Sequence, residues 1–153
     1  MPITNSMNDM YYSSADTGAL ATIMFLYFLI AVGSYVINSW FLAGVFKKMG
    51  EEQWKAWVPF YNIWVFLEWG GFKGAWLLII LASFIPFIGG FAGIALTVLM
   101  AIAAYNIGKG FSKDGVWVVL YVFLSIVWTG ILAFDSSKYE ASLNPKSLRK
   151  AVR

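Results

Sequence analysis

The chain has no cysteine and no histidine. Disulfides, thiolate sites, His-liganded zinc, a haem axial histidine and the Ser-His-Asp triad are therefore excluded, and neither a catalytic constellation, a cofactor nor a metal site is expected. Charge is scarce as well: 12% of the residues are charged against 60% hydrophobic, and the mean hydropathy is +0.70. That is too little charge to coat a water-soluble domain of 153 residues, so we read an all-α integral membrane helical bundle. A net charge of +3 and a pI near 9.1 could suit nucleic acid. The basic residues, however, are scattered or confined to the tail, which fits membrane flanks and implies no nucleic-acid partner.

Aromatic residues, in contrast, are abundant. Four of the eight tryptophans fall within residues 54–69, a stretch that also holds Pro59, Phe60, Tyr61 and Asn62. Trp and Tyr join an apolar body to a polar tip and collect where hydrocarbon meets lipid headgroups. Trp54, Trp57, Tyr61, Trp64 and Trp69 are thus the expected membrane-interface anchors. As a helix this stretch reaches only ~24 Å, short of the ~30 Å hydrocarbon layer, so a re-entrant or interfacial embedded helix is expected, with a thin span as the alternative.

Residues 1–17 are polar, carry Asp9 and Asp16 and lack basic residues, which predicts a mobile N-terminal segment without a secretory signal. Residues 18–46 are uncharged and as a helix would extend ~43 Å, enough for a tilted span. Within it Ala31, Ser34 and Asn38 share a face suited to a partner helix. Further spans are expected over 75–89, 91–108 and 116–134, making about four in a membrane domain of residues 18–134, and 135–153 form a basic polar tail. Gly89, Gly93, Thr97 and Ala101 repeat every four residues as a small-residue packing stripe. Tyr121, Ser125 and Thr129 share one face of the last apolar run.

Charge and length point to different topologies: Lys47 and Lys48 after the first span, with no basic residue before it, favour an outside N-terminus, and the charge rule favours five spans. Four spans leave five Lys/Arg in the tail against six in the opposite loops, whereas a crossing by 54–69 gives eight against three. Span length favours four. A weak internal echo also joins Trp57-Val58-Pro59-Phe60 to Ile85-Pro86-Phe87, and Gly71-Phe72-Lys73-Gly74 to residues 110–115.

The run Trp54-Lys55-Ala56-Trp57-Val58-Pro59-Phe60-Tyr61-Asn62 and then Gly70-Gly71-Phe72-Lys73-Gly74-Ala75-Trp76 resembles a bacterial family of small multi-pass membrane proteins of unknown function. The resemblance continues through Ile85-Pro86-Phe87, residues 108–113 and residues 132–139. Members of that family are often labelled as, or fused to, signal peptidase I, which implies a Ser nucleophile with a Lys base. Ser6-Met7 is superficially similar to that enzyme's Ser-Met pair, but no β-rich catalytic domain follows and no lysine stands where burial could neutralise it. The resemblance implies a multi-pass protein of the cell membrane, in bacteria the inner membrane.

Two polar residues stand out in the embedded stretch. Glu68 is costly among apolar neighbours unless it is paired or hydrated, and Asn62 can satisfy backbone groups freed by Pro59. No spanning segment has an ionisable residue in its interior, which weakens a proton-coupled transporter or a charge-selective pore. The expected function is a non-catalytic accessory or structural subunit of a larger membrane complex, with membrane lipids and other subunits or a second copy as partners. The alternative is a small transporter, channel or lipid-binding protein using a pocket that Asn62 and Glu68 face.

Overall fold

The computed structural model describes residues 3–82, 85 and 88–144, with side chains over 17–80, 85 and 88–144. The helices are α1 (Ile3–Lys48), α2 (Tyr61–Trp69), α3 (Ile79–Ala82), α4 (Ile88–Gly110), α5 (Trp117–Phe123) and α6 (Ser125–Phe134), joined by 3₁₀ turns at Gln53–Trp57, Gly74–Leu78 and Ala141–Leu143. The chain divides into two units, residues 1–36 and 37–153. In the first, the expected mobile N-terminus is helical from Ile3. No glycine or proline interrupts residues 3–17, so once the apolar run has nucleated a helix, extending it is inexpensive.

Among the described residues two helices are long and apolar enough to cross a membrane, Thr17–Lys48 and Ile88–Gly110, rather than about four. The run 116–134, expected as one span, is two helices parted at Leu124 (φ −139°, ψ 60°). Over 75–89 the described residues form the 3₁₀ turn and the four-residue α3.

In the second unit, two segments fold back on themselves. Trp69 Nε1 donates to Glu51 Oε2 at 2.8 Å across 18 residues, a separation that would be ~27 Å in a straight helix. The strained turn at Phe60 (φ 63°) after Pro59 makes this reversal. Lys113 Nζ meets Asp135 Oδ2 at 2.5 Å across 22 residues, so α5 rises from this ion pair and α6 descends to it. Residues 51–69 thus fold back on themselves, and a second hairpin that nothing in the sequence marks stands beside them.

Both hairpins close at the end where α1 and α4 finish. Lys48 Nζ donates to Leu132 O at 2.6 Å and to Asp135 O, Asn106 Nδ2 to Gly70 O at 2.7 Å, Glu140 N to Gly110 O at 2.8 Å and Asn144 Nδ2 to Trp69 O at 3.0 Å. The last stretch of α1 together with α2, α4 and α6 therefore points C-termini to one end. Aligned macrodipoles crowd negative partial charge there, and Lys47 and Lys48 on α1, Lys109 on α4 and the Lys48 ammonium on the α6 carbonyls offset it. Local stop signals agree: Glu51 N to Phe46 O, Phe72 N to Leu67 O and Lys113 N to Gly108 O close left-handed caps at Gly50 (φ 78°), Gly71 (φ 86°) and Ser112 (φ 58°).

The core gathers at the same end, around fully buried Val45, Phe46, Ala56, Leu67, Ala103, Ala104, Ile107, Trp128 and Leu132. Backbones approach closely there because side chains are missing: Gly70 faces Ala103, Gly110 the Tyr139 ring and Gly130 the Phe41 ring. Over residues 17–36, by contrast, the side chains are exposed or half-buried, with Met24 at 72%.

Candidate functional site

About 15 Å up α1 from Lys48, ten residues at 1.5 Å each, Asn38 opens a pocket of about 100 Å³. Its other polar walls are Asn62 from the first turn of α2, Tyr121 from α5, and Ser125 and Thr129 from α6; Leu42, Ile63, Phe66 and Met100 complete it. The hairpin turns create this site. Because α2 starts at Tyr61 and α6 at Ser125, two helix N-termini lie part-way along the bundle, each bringing a polar side chain, Asn62 or Ser125, to the site; in α2 the Tyr61 and Asn62 N–H groups already donate to the Pro59 and Val58 carbonyls. Phe66 stacks on Tyr121 at 5.7 Å and meets Trp128 edge-on at 6.3 Å, holding the hairpins together beneath the pocket.

The hydrogen bonds leave this polarity incompletely matched. Asn62 is 7% exposed; its Nδ2 donates to Ala56 O at 3.3 Å and its Oδ1 has no partner. Thr129 Oγ1 stands 3.3 Å from Asn38 Oδ1 but closer, 3.0 Å, to the carbonyls of Ser125 and Ile126. A hydroxyl has one proton, so donation back to its own helix leaves Asn38 loosely held. No acidic or basic side chain lines the pocket.

Of the residues singled out from sequence, Asn62 therefore lies in the site, and so do Asn38, Tyr121, Ser125 and Thr129, which had been read only as helix-packing faces. Glu68 does not line it: one residue before the end of α2 it accepts from Trp64 Nε1 at 3.0 Å. The anchor set divides in two. Trp54, Trp57 and Tyr61 are exposed, with Trp54 stacked on Tyr61 at 5.8 Å. Trp64 and Trp69 instead turn inward, Trp64 over Gly74 and Trp69 against Glu51 and the Tyr139 ring. Along the stripe, Gly93 and Thr97 are exposed and Gly89 and Ala101 half-buried, while α4 packs within the chain through Ala92, Ala103, Ala104 and Ile107. The side chain of Ser6 lies outside the described residues. Among the described residues, no group of three or more Asp or Glu could hold a metal ion.

At the basic end, Lys113 donates to Asp135 and holds its carboxyl below the usual carboxylate range, with Ser137 and the Ser136 backbone contributing. Lys55 pairs with Glu51 at 2.5 Å and Glu52 at 3.0 Å. These charges tie segments to one another, and none faces the pocket.

Among the described residues the protein is thus all-α, with two helices of membrane-spanning length and a polar pocket where two helical hairpins meet. It belongs to the Family of unknown function (DUF5684), which matches residues 54–142 and so takes in the second hairpin, the first from Trp54 onward, and every pocket residue except Asn38 and Leu42. No curated protein and no solved structure matches the chain.

Proposed function

We propose that this is a non-catalytic, multi-pass protein of the cell membrane, in bacteria the inner membrane, that serves as an accessory or structural subunit of a larger assembly. The observation that carries the membrane reading is the placement of charge. Lys47, Lys48, Lys55, Lys73, Lys109, Lys113 and Lys138 all sit on segments gathered at the end where the hairpins close, and Lys146, Arg149, Lys150 and Arg153 follow in sequence from Asn144 at that end. In this arrangement α1 and α4 each cross the membrane, while 51–69 and 113–135 dip in and come back. The seven lysines among the described residues then share the cytoplasmic side.

The subunit role is supported by the surface left uncovered. Gly93 and Thr97 stand open on α4, and a methyl group added at Gly93 would meet nothing within 4 Å. Small residues let a second helix approach closely, which is how helices associate in lipid. Extraction in mild detergent followed by native mass measurement tests this role. The expected species is a stable complex with another subunit or a second copy, disrupted by Gly93→Ile; a 17.1 kDa monomer with no co-purifying protein would overturn it.

A further inference from the structure

We propose that the second unit, residues 37–153, acts as a wedge in the bilayer and draws the protein to membranes that are convex on the side where its hairpins close. The inference rests on the membrane reading above and adds to it a preference for curvature.

Each hairpin has a charged base and an apolar tip. Glu51, Glu52, Lys55 and Lys73 flank the first, and Lys113, Asp114 and Asp135 the second. The reversals themselves, Trp57-Val58-Pro59-Phe60 and Val122-Phe123-Leu124, carry no charged, amide or hydroxyl group. Turns that face water are ordinarily polar. These are apolar and uncovered, with Phe60 at 60% and Phe123 at 79% exposure. In hydrocarbon the polar groups that a reversal frees must be met inside the chain. Asn62 N donates to Val58 O, Trp64 N to Phe60 O and Asn62 Nδ2 to Ala56 O at the first tip, and Leu124 N to Leu120 O and Trp128 N to Leu124 O at the second. Both tips therefore suit the hydrocarbon and both bases the headgroups.

Length sets how far the tips reach. At 1.5 Å per residue α2 rises ~13.5 Å and α6 ~15 Å, while α4 extends ~34 Å. Half of the hydrocarbon layer is ~15 Å, so the hairpins fill one leaflet and α4 crosses both. Beyond the tips α4 continues with Phe91, Ile94 and Val98 exposed. A helix is a cylinder ~10 Å across, so α2, α5 and α6 add roughly 240 Å² of cross-section to one leaflet alone. Such one-sided area is accommodated best where that leaflet is stretched, on the convex face of a bent membrane.

Nanotubes pulled from giant phosphatidylcholine vesicles test the wedge. Because the chain has no cysteine, Lys138→Cys at the closed end and Ile88→Cys, ~33 Å along α4 from Gly110, mark opposite ends. An impermeant dye added outside labels only molecules that present the marked end outward. The tube is convex outward, so dye at position 138 should be enriched in the tube over the vesicle by at least about twofold, equivalent to ~0.4 kcal/mol. Dye at position 88 should be depleted. Leu124→Asp places a charge at the second tip while supplying the side-chain cap that α6 lacks, and in the folded variant, checked by its thermal midpoint, the enrichment should fall toward that of a lipid dye. Vesicle flotation separates the two failures. Protein that does not float with the vesicles overturns the membrane reading and the wedge with it. Protein that floats but shows equal density in tube and vesicle, the same direction of sorting for both labels, or unchanged enrichment in folded Leu124→Asp overturns the wedge alone.

Discussion

The indole N–H of Trp69 donates to Glu51 Oε2 while Glu51 Oε1 holds the Lys55 ammonium, so one carboxylate closes a hairpin with both of its oxygens. Its side chain is 8% exposed, which makes each bond hard to replace with water. Trp69→Phe, which leaves the Lys55 pair intact, should lower stability by about 1 kcal/mol, and Glu51→Ala by about 1.5–3 kcal/mol. Thermal unfolding in one detergent measures both, and equal losses would show that the carboxylate does not join the two contacts.

The second hairpin is closed by charge and should answer to pH. Asp135 titrates below its ordinary value in the folded chain because Lys113 donates to it. A depressed carboxyl contributes stability above the unfolded value near ~3.9, and loses it as pH falls through the folded value. Asp135→Asn should therefore flatten the fall of the melting temperature below about pH 4 and lower the melting temperature at neutral pH. An unchanged acid limb would remove the ion pair from the account.

Glycines at close approaches should be far less tolerant than glycines on the open face. A methyl group at Gly70 would collide with the Cα and Cβ of Ala103, and one at Gly110 with the Tyr139 ring. Each substitution to Ala should cost about 1–3 kcal/mol or more. Gly93→Ala meets open space and should gain up to about 1 kcal/mol from helix propensity in the isolated chain. Unfolding of the three variants under one condition gives the order directly.

Ser112 carries a left-handed conformation at a cap where Gly50 and Gly71 close the equivalent turns. Ser112→Gly should stabilise the protein by about 1 kcal/mol, because the side chain is exposed and only the backbone strain is removed. A loss of stability would mean that the hydroxyl makes a contact that outweighs the strain.

The absence of cysteine makes the proposed topology directly measurable. Single cysteines at Lys73, Ser112 and Lys138 should react with an impermeant reagent from the same side, and one at Asp16 from the other. Labelling of positions 16 and 112 from one side would reject the arrangement.

What the sequence made legible is the chemistry of each stretch, and what it hid is where stretches reverse. Thr17–Lys48 and Ile88–Gly110 follow from unbroken apolar runs, and the fold-back of residues 51–69 from a length too short to cross. Residues 116–134 carry no proline or glycine before Gly130, so their break at Leu124 has no local cause. The break lets Lys113 meet Asp135, 22 residues away, a contact that local periodicity does not reveal. The same reversal explains the site: Ser125 and Thr129 read as one face of a long helix, and only when α6 runs beside α1 do they meet Asn38.

The contacts that bind the helices crowd at one end, from Asn106 on Gly70 to Lys48 on Leu132, while α4 is largely uncovered toward Ile88. In a bilayer thinner than its helices, this bundle can splay at the open end without breaking any of those bonds. Hydrophobic mismatch is then absorbed in a single leaflet, and the footprint at the closed end stays constant.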